Sequence, residues 1–488
     1  MWDLSNPTGE RATTREAGHA CRRLVSWSAD TRWVDSPLSG RAGGRAVKDP
    51  ARTVAFHVLL AVSNDGAYAN LELSRQLRSK NLNSRDAGFA TELVYGSIRL
   101  QGSYDAIIAE CAARPVPQLD AGVLVLLRMG AHQLLSMDVP DHAAVATTVD
   151  LARVVVGHRP AGFINAVLRR TSERDLDGWI RELAPIADRV GELSLRYSHP
   201  RWLVEEFHRA LSDWQETEEF LDANNRPAPV TLVARPGRST VDELVAVGAT
   251  RTDFSTLGAT LAQGDPGQVA AVVEGRAGVQ DEGSQLVALA LASVPIDGAD
   301  ASWLDLCAGP GGKAALLGAI GAQRGARLTA VELQPHRSAL VAHAVGESVE
   351  VVTADGTDAR WATSSFDRVL IDAPCTGAGA LRRRPDARWR RQPADLESLQ
   401  SLQESLLMGG LSAVRPGGVV AYATCSPILS ETRDVLARVL KQRPEVVSLD
   451  AREWFPGVPA LGQGPDVQLW THRQGTDAMY CALLQRTS

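Results

Sequence analysis

The chain has 488 residues, enough for about three domains of ordinary size, with 51 basic against 57 acidic residues and a net charge of −6. Apolar residues make up 44% and charged residues 22%, which excludes a largely disordered or fibrous chain. The acidity excludes a uniformly basic nucleic-acid coat but not a nucleic-acid partner, because it is local: residues 191–300 carry −9, whereas 1–48, 49–190 and 301–488 carry +3, −1 and +1.

No uncharged apolar run approaches the ~18 residues that cross a bilayer; the longest, residues 286–294, reaches half that length. No apolar segment follows a basic start, so no secretory signal is expected, and the chain is placed in the cytoplasm with no membrane partner. Six cysteines, none in a C-x-x-C pair, suit neither a disulfide scaffold nor a zinc site, and no metal is expected. Only Lys48, Lys80, Lys313 and Lys441 are lysines; the other basic residues are arginines, whose planar forks suit phosphate.

In chain order, residues 1–48 are rich in Arg, Ser, Gly and Thr without periodicity and read as a disordered extension, with Trp2, Trp27 and Trp33 leaving room for a docking segment. Residues 49–185 turn helical: Val54, Val58, Leu59 and Val62 share one face, and similar stripes run through Phe89, Leu93 and Val94 and through Val123 and Leu127. A compact all-α domain is predicted there. Residues 186–277 combine an acidic helix from Leu203 to Leu221 with a strand at 230–233, which predicts a small α/β linking module. Over 278–488, strands predicted at 303–306, 328–331, 349–352, 369–371 and 419–423 alternate with helices. That alternation predicts a doubly wound, Rossmann-like α/β domain.

The first of these strands runs into Asp305-Leu306-Cys307-Ala308-Gly309-Pro310-Gly311-Gly312-Lys313 and then an Ala/Leu helix. A glycine-rich strand-to-helix turn lets a ligand approach the backbone and the helix N-terminus. It matches neither G-x-G-x-x-G nor a P-loop, and taken alone a tight structural turn explains it equally well. The second strand ends in Glu332, suited to accept from ribose hydroxyls; Asp355 follows the third strand and Asp372 the fourth. One strand-end aspartate is often only a helix cap, whereas four acidic positions at successive strand ends line one crevice. Cys375 follows the fourth strand in Asp372-Ala373-Pro374-Cys375-Thr376-Gly377, and Cys425 follows the fifth in Thr424-Cys425-Ser426-Pro427. Loops at the carboxyl ends of neighbouring parallel strands share a cleft, so these two thiols can face one substrate. An isolated buried cysteine is usually a small hydrophobe; two on proline-punctuated loops at the functional edge are not.

Residues 305–313, 372–377 and 424–426 resemble the motifs of the RNA 5-methylcytosine methyltransferases of the Nol1/Nop2/Sun family, which use S-adenosylmethionine. Arg85-Asp86 and residues 90–96, 127–135 and 163–170 resemble the NusB antitermination fold. Together the resemblances cover residues 49–488. They imply an all-α NusB-like, RNA-binding domain ahead of an S-adenosylmethionine-dependent methyltransferase domain. That arrangement implies a 16S ribosomal RNA substrate, naked or in an assembling small subunit, and a monomeric enzyme.

The resemblance makes Cys425 the nucleophile that adds to carbon 6 of cytosine, Asp372 the group that orients the base, and Cys375 the acid or base of release. It places the cofactor on Cys307, Ala308, Gly309, Pro310, Gly311, Gly312, Lys313, Glu332, Asp355 and Asp372, with Cys307 packing rather than reacting. The run Arg382, Arg383, Arg384, Arg388, Trp389, Arg390 and Arg391 begins beside the proposed cleft and is expected to bind RNA. A basic track along 382–391 reaching Cys425 is predicted, with the acidic module turned away from it. The chain departs from the family at Glu332, where Asp is commoner, at residues 427–432, which lack a Glu-Asn ending, and at Gln474, where His is common. Three alternatives stand beside this reading: an antitermination-type RNA-binding factor with an inactive sheet, methylation of another RNA, and DNA methylation with Cys375 as nucleophile.

Overall fold

The computed structural model describes residues 49–184, 188–262 and 264–487; the expectation for residues 1–48 lies outside them. Helices Pro50–Asn64, Ala69–Lys80, Ser84–Arg99, Gln101–Ala112, Ala121–Leu135, Asp141–Val155, His158–Thr171 and Leu176–Leu183 build the predicted all-α part. Several begin on an aspartate that accepts from a first-turn amide, among them Asp49 from Arg52 and Asp120 from Gly122. Their apolar stripes meet in one core containing Val54, Val58, Leu93, Val94, Ile107, Leu126, Leu127 and Leu168. Close crossing is set by Gly96, where a Cβ would fall 2.0 Å from His132 Nε2.

The single acidic helix predicted from Leu203 to Leu221 is two helices, Arg201–Leu211 and Trp214–Ala223. Ser212 turns left-handed at φ 58°, and Asp213 restarts the chain by accepting from the Glu216 amide. Leu203, Phe207, Phe220 and Leu221 from this pair pack against Leu381, Ile428 and Trp470 of the C-terminal part. The small module that follows is an antiparallel sheet ordered β2-β3-β1-β4, from β1 (Val230–Ala234), β2 (Ala249–Arg251), β3 (Gly258–Leu261) and β4 (Ala277–Val279).

The C-terminal part is built on β5 (Ser302–Asp305), β6 (Arg327–Glu332), β7 (Glu350–Thr353), β8 (Phe366–Asp372), β9 (Val414–Thr424), β10 (Val446–Leu449), β11 (Val467–Gln468) and β12 (Tyr480–Arg486). They order as β10-β12-β9-β8-β5-β6-β7, with β11 paired to β12. β5 to β9 are parallel, as predicted, and β10 to β12 add an antiparallel edge. Helices Glu282–Ser293, Gly312–Gln323 and Pro335–Val345 share one core, while Asp395–Ala413 and Arg433–Leu440 share another, so the sheet is covered on both faces. Chain order reverses at β5, which pairs with β6 on one side and β8 on the other. The carboxyl ends beside that switch point form the natural crevice. Among the described residues no helix is long and apolar enough to cross a membrane.

The arginine run does not form the predicted solvent-facing track. Arg388 is completely buried and donates to the carbonyls of Arg99, Ser198 and Asn224 and to Asn225 Oδ1. The Trp389 indole donates to Ile98 O, and its ring lies so close to Gly102 that a Cβ there would approach to 2.5 Å. Arg390 grips Gly66 O and Ala67 O and stacks over Tyr68. Arg382 and Arg383 pair with Asp281 and Asp477. The acidic module is therefore not turned away: Asn224 and Asn225 accept from Arg388, and Pro229 O accepts from Arg383. Helix ends and turns leave orphan carbonyls at the seam, and the arginine forks satisfy them. Arg384 is exposed and Arg391 partly exposed, and among the described residues neither side chain has a hydrogen bond or ion pair.

Arg388→Ala should uncover four acceptors at once and cost about 3–5 kcal/mol in urea unfolding. A variant as stable as the parent would show that Arg388 does not clamp the helical part to the C-terminal part.

Candidate active site

At the end of β5 the chain makes a cis Gly309–Pro310 bond, and Gly311 sits at φ +110°. A Cβ at Gly311 would approach Ala344 Cβ to 2.7 Å and Val341 Cα to 3.1 Å, so glycine lets the helix that follows close on its neighbour. Glu332 braces the turn: Oε2 accepts from Gly309 N at 3.1 Å and Oε1 from Gln334 N at 2.9 Å. Arg337 closes the same loop on Gly309 O at 2.6 Å. Asp355 is exposed and caps its own turn by accepting from Thr357 N and Oγ1.

Asp305 is buried, with Oδ1 accepting from Cys307 N at 3.2 Å and Oδ2 lacking a partner among the described residues. Burial, reinforced by Asp372, pushes its carboxyl up to about 7. Burial and the carboxylates of Asp305, Asp372 and Glu332 also push the Cys307 thiol up, in keeping with packing rather than nucleophilic work. An orphaned carboxylate oxygen beside an open glycine turn fits a ligand that carries positive charge, as S-adenosylmethionine does. Residues 307–313 and Glu332 are the ones that would hold it.

Lys313, the first long side chain of the helix Gly312–Gln323, reaches across to Asp372 at the end of β8, Nζ to Oδ2 2.8 Å. β8 and β9 pair with Asp372 opposite Ala423. The loops leaving these strands bring the Cys375 and Cys425 sulfurs to 3.4 Å. The hydrogen bond shared with Cys375, helped by Lys313 and Arg384, draws the Cys425 thiol below its ordinary range against the opposing effects of burial and Asp372. The same hydrogen bond, together with burial, holds Cys375 well above it.

Asp372, Lys313, Cys375 and Cys425 come together, with Cys307, the glycine turn and Glu332 along the neighbouring strand ends. Arg384 is the member of the arginine run that acts on Cys425, whereas Arg382, Arg383, Arg388, Trp389 and Arg390 are committed to contacts within the protein. Sequence reasoning misses two features. Gln280 lies over the turn, 3.8 Å from where a Gly312 Cβ would be, and its buried Oε1 has no partner among the described residues. The polar run Gln280-Asp281-Glu282 ahead of an apolar helix is the signal that could have revealed it. Glu431 is completely buried and receives the Thr376 amide, the Thr376 and Ser426 hydroxyls and Gln403 Nε2. Sequence reasoning sees it only as part of an unusual loop.

Asp305 offers a test of this charge arrangement. Its folded carboxyl titrates at about 7 against an ordinary value of 3.8, so its stabilising contribution is full in acid and is lost as pH rises through that window. Asp305→Asn cannot ionise and should gain on the parent by about 2–3 kcal/mol between roughly pH 5 and pH 8 in urea unfolding. A difference independent of pH would show that Asp305 is not raised.

Residues 292–485 match the family described as 16S rRNA methyltransferase RsmB/F, and residues 49–173 match the NusB family. The chain is 50% identical over 454 residues to the putative methyltransferase Rv1407 of Mycobacterium tuberculosis, spanning 91% of this chain and 98% of that protein. It is 32% identical over 451 residues to the ribosomal RNA small subunit methyltransferase B of Pseudomonas putida, spanning 89% and 98%. The crystal structure of PH0851 shares the fold, with a TM-score of 0.75 at 20% identity over 91% of this chain and 100% of that one. With helical and catalytic parts both aligned, the chain belongs to the RsmB/F family of 16S rRNA methyltransferases.

Proposed function

We propose that this chain methylates carbon 5 of a cytosine in 16S ribosomal RNA through a covalent adduct on Cys425. The observation that carries the reading is the 3.4 Å approach of the Cys375 and Cys425 sulfurs beside the Lys313–Asp372 pair. S-adenosylmethionine is the cofactor, and when bound it supplies the electrophilic methyl group. Carbon 5 of cytosine is a poor nucleophile until a thiolate adds to carbon 6, and Cys425 is the sulfur prepared for that addition. Asp372, fixed by Lys313, faces the cleft as the group that orients the base and balances charge as the adduct forms. After methylation the carbon 5 proton must leave and the bond from Cys425 to carbon 6 must break. Cys375, already hydrogen-bonded to that sulfur, gives its proton to Cys425 as the bond to carbon 6 breaks, and the Cys375 thiolate so formed accepts the carbon 5 proton. Arg384, exposed beside Cys425, is the arginine free to meet an RNA phosphate, and Arg391 extends that contact at the far end of the run.

Bisulfite mapping of 16S RNA from cells with and without the protein should show one cytosine losing its methyl group in the deletion. No change at any cytosine would overturn the proposed product. In purified protein, Cys425→Ala should form no RNA adduct. Cys375→Ala should instead accumulate one that survives denaturing electrophoresis. The reverse pattern would exchange the roles of the two cysteines and favour attack by the Pro-Cys thiol.

A further inference from the structure

Glu431 ends the short turn Leu429–Glu431 that follows the Cys425 loop, and it is completely buried. Its Oε1 accepts from Thr376 N at 2.7 Å and from Gln403 Nε2 at 3.3 Å. Its Oε2 accepts from Thr376 Oγ1 and Ser426 Oγ, both at 2.6 Å. The main chain of the same residue is pinned as well, Tyr422 OH donating to Glu431 O at 2.7 Å. Thr376 is the residue after Cys375, and Ser426 is the residue after Cys425. One carboxylate is therefore tied to the immediate neighbour of each thiol, and Gln403 adds Pro374 O on the other side of Cys375.

Four donors match an acceptor-only carboxylate with about four lone-pair sites. Among the described residues, however, Glu431 has no ion pair with a basic side chain. The carboxyl is tied to both cysteine loops, so its field falls on the thiols they carry. It adds to the factors holding the Cys375 proton in place, whereas Lys313 and Arg384 act on Cys425.

The geometry points to Glu431 as the positioning residue that decides which of two adjacent thiols attacks: it aligns both cysteine loops and directs negative charge at Cys375. This assignment rests on the roles proposed above for the two cysteines. Glu431 touches no reacting atom; it acts through Thr376, Ser426 and its field. Without that charge Cys375 loses one of the factors that hold its proton and set it apart from Cys425. No bond to Glu431 forms or breaks at any stage.

The test uses the full chain and does not require turnover. Iodoacetamide labelling, followed over about pH 6–9 by mass spectrometry of the two cysteine peptides, reads which thiol ionises first. In the parent, Cys425 should label ahead of Cys375. Glu431→Gln keeps the size of the side chain, and the Thr376 and Ser426 hydroxyls can rotate to accept from its amide. It should raise Cys375 labelling relative to Cys425 by about tenfold, one pKa unit. Glu431→Asp keeps the charge and should preserve the parental order even if its shorter reach lowers the melting temperature. In methylation assays Glu431→Gln should lower kcat while KM stays within about twofold. An unchanged labelling ratio in Glu431→Gln, or an equal loss of selectivity in Glu431→Asp, would overturn the role of the charge. Parental protein labelling first at Cys375 would instead overturn the cysteine assignment on which the inference rests.

Discussion

The parallel pairing of β8 with β9, Asp372 opposite Ala423, determines where both sulfurs lie. Cys375 is three residues beyond the end of β8 and Cys425 one beyond the end of β9. Neighbouring strands are about 4.8 Å apart, so short loops leaving on the same side cannot avoid one another. A slip of one residue would turn every side chain of β9 to the opposite face. Val369, Leu370 and Ile371 on β8 and the run from Val419 to Ala423 on β9 are completely buried, so such a slip would have to repack both cores together. The hydrophobic layers above and below the sheet thus hold the thiols in register, and Cys425 itself packs against one of them.

The same strand ends show why the central fold is legible in the sequence. β5, β6, β8 and β9 are apolar runs closed by Asp305, Glu332, Asp372 and the Thr424-Cys425 step, and a fully covered parallel sheet produces that pattern. The antiparallel edge is harder to see. β10 is short and half exposed, β11 has two residues, and the run Tyr480–Arg486 resembles any buried segment until its partner β9 is known. The break at Ser212 is concealed for another reason: an acidic amphipathic pattern continues through it, and only the left-handed residue and the Asp213 cap divide the helix.

Arginine shows the limit of charge counting. Six arginines within eleven residues read as a phosphate track, yet Arg382, Arg383, Arg388 and Arg390 are committed to carboxylates and carbonyls of the surrounding protein. A guanidinium offers five donors in a fixed fork, and a seam where helices end offers carbonyls. The partners Arg99, Ser198, Asn224 and Gly66 lie between 164 and 324 residues away in sequence, so no local pattern announces them. The acidic segment that seemed a separate surface supplies Asp281 to the same run. Net charge by segment described composition correctly and orientation incorrectly.

Glu431 lies beyond sequence reasoning for a related reason, and its position clarifies how one fold distinguishes two identical functional groups. Its donors come from residues 55, 28 and 5 positions away, on a loop, a helix and a second loop. The sheet can place two thiols side by side but cannot make them different. Difference has to come from charges outside the sheet: Lys313 from the helix after β5 and Arg384 from the arginine run on one side, Glu431 from the turn after β9 on the other. Asp372 opposes the acidification of Cys425, yet its own pairing with Lys313 brings the compensating cation into the same place. Proximity is therefore a property of strand register, whereas chemical identity is a property of the loops. A substitution in either layer should disturb one without necessarily disturbing the other.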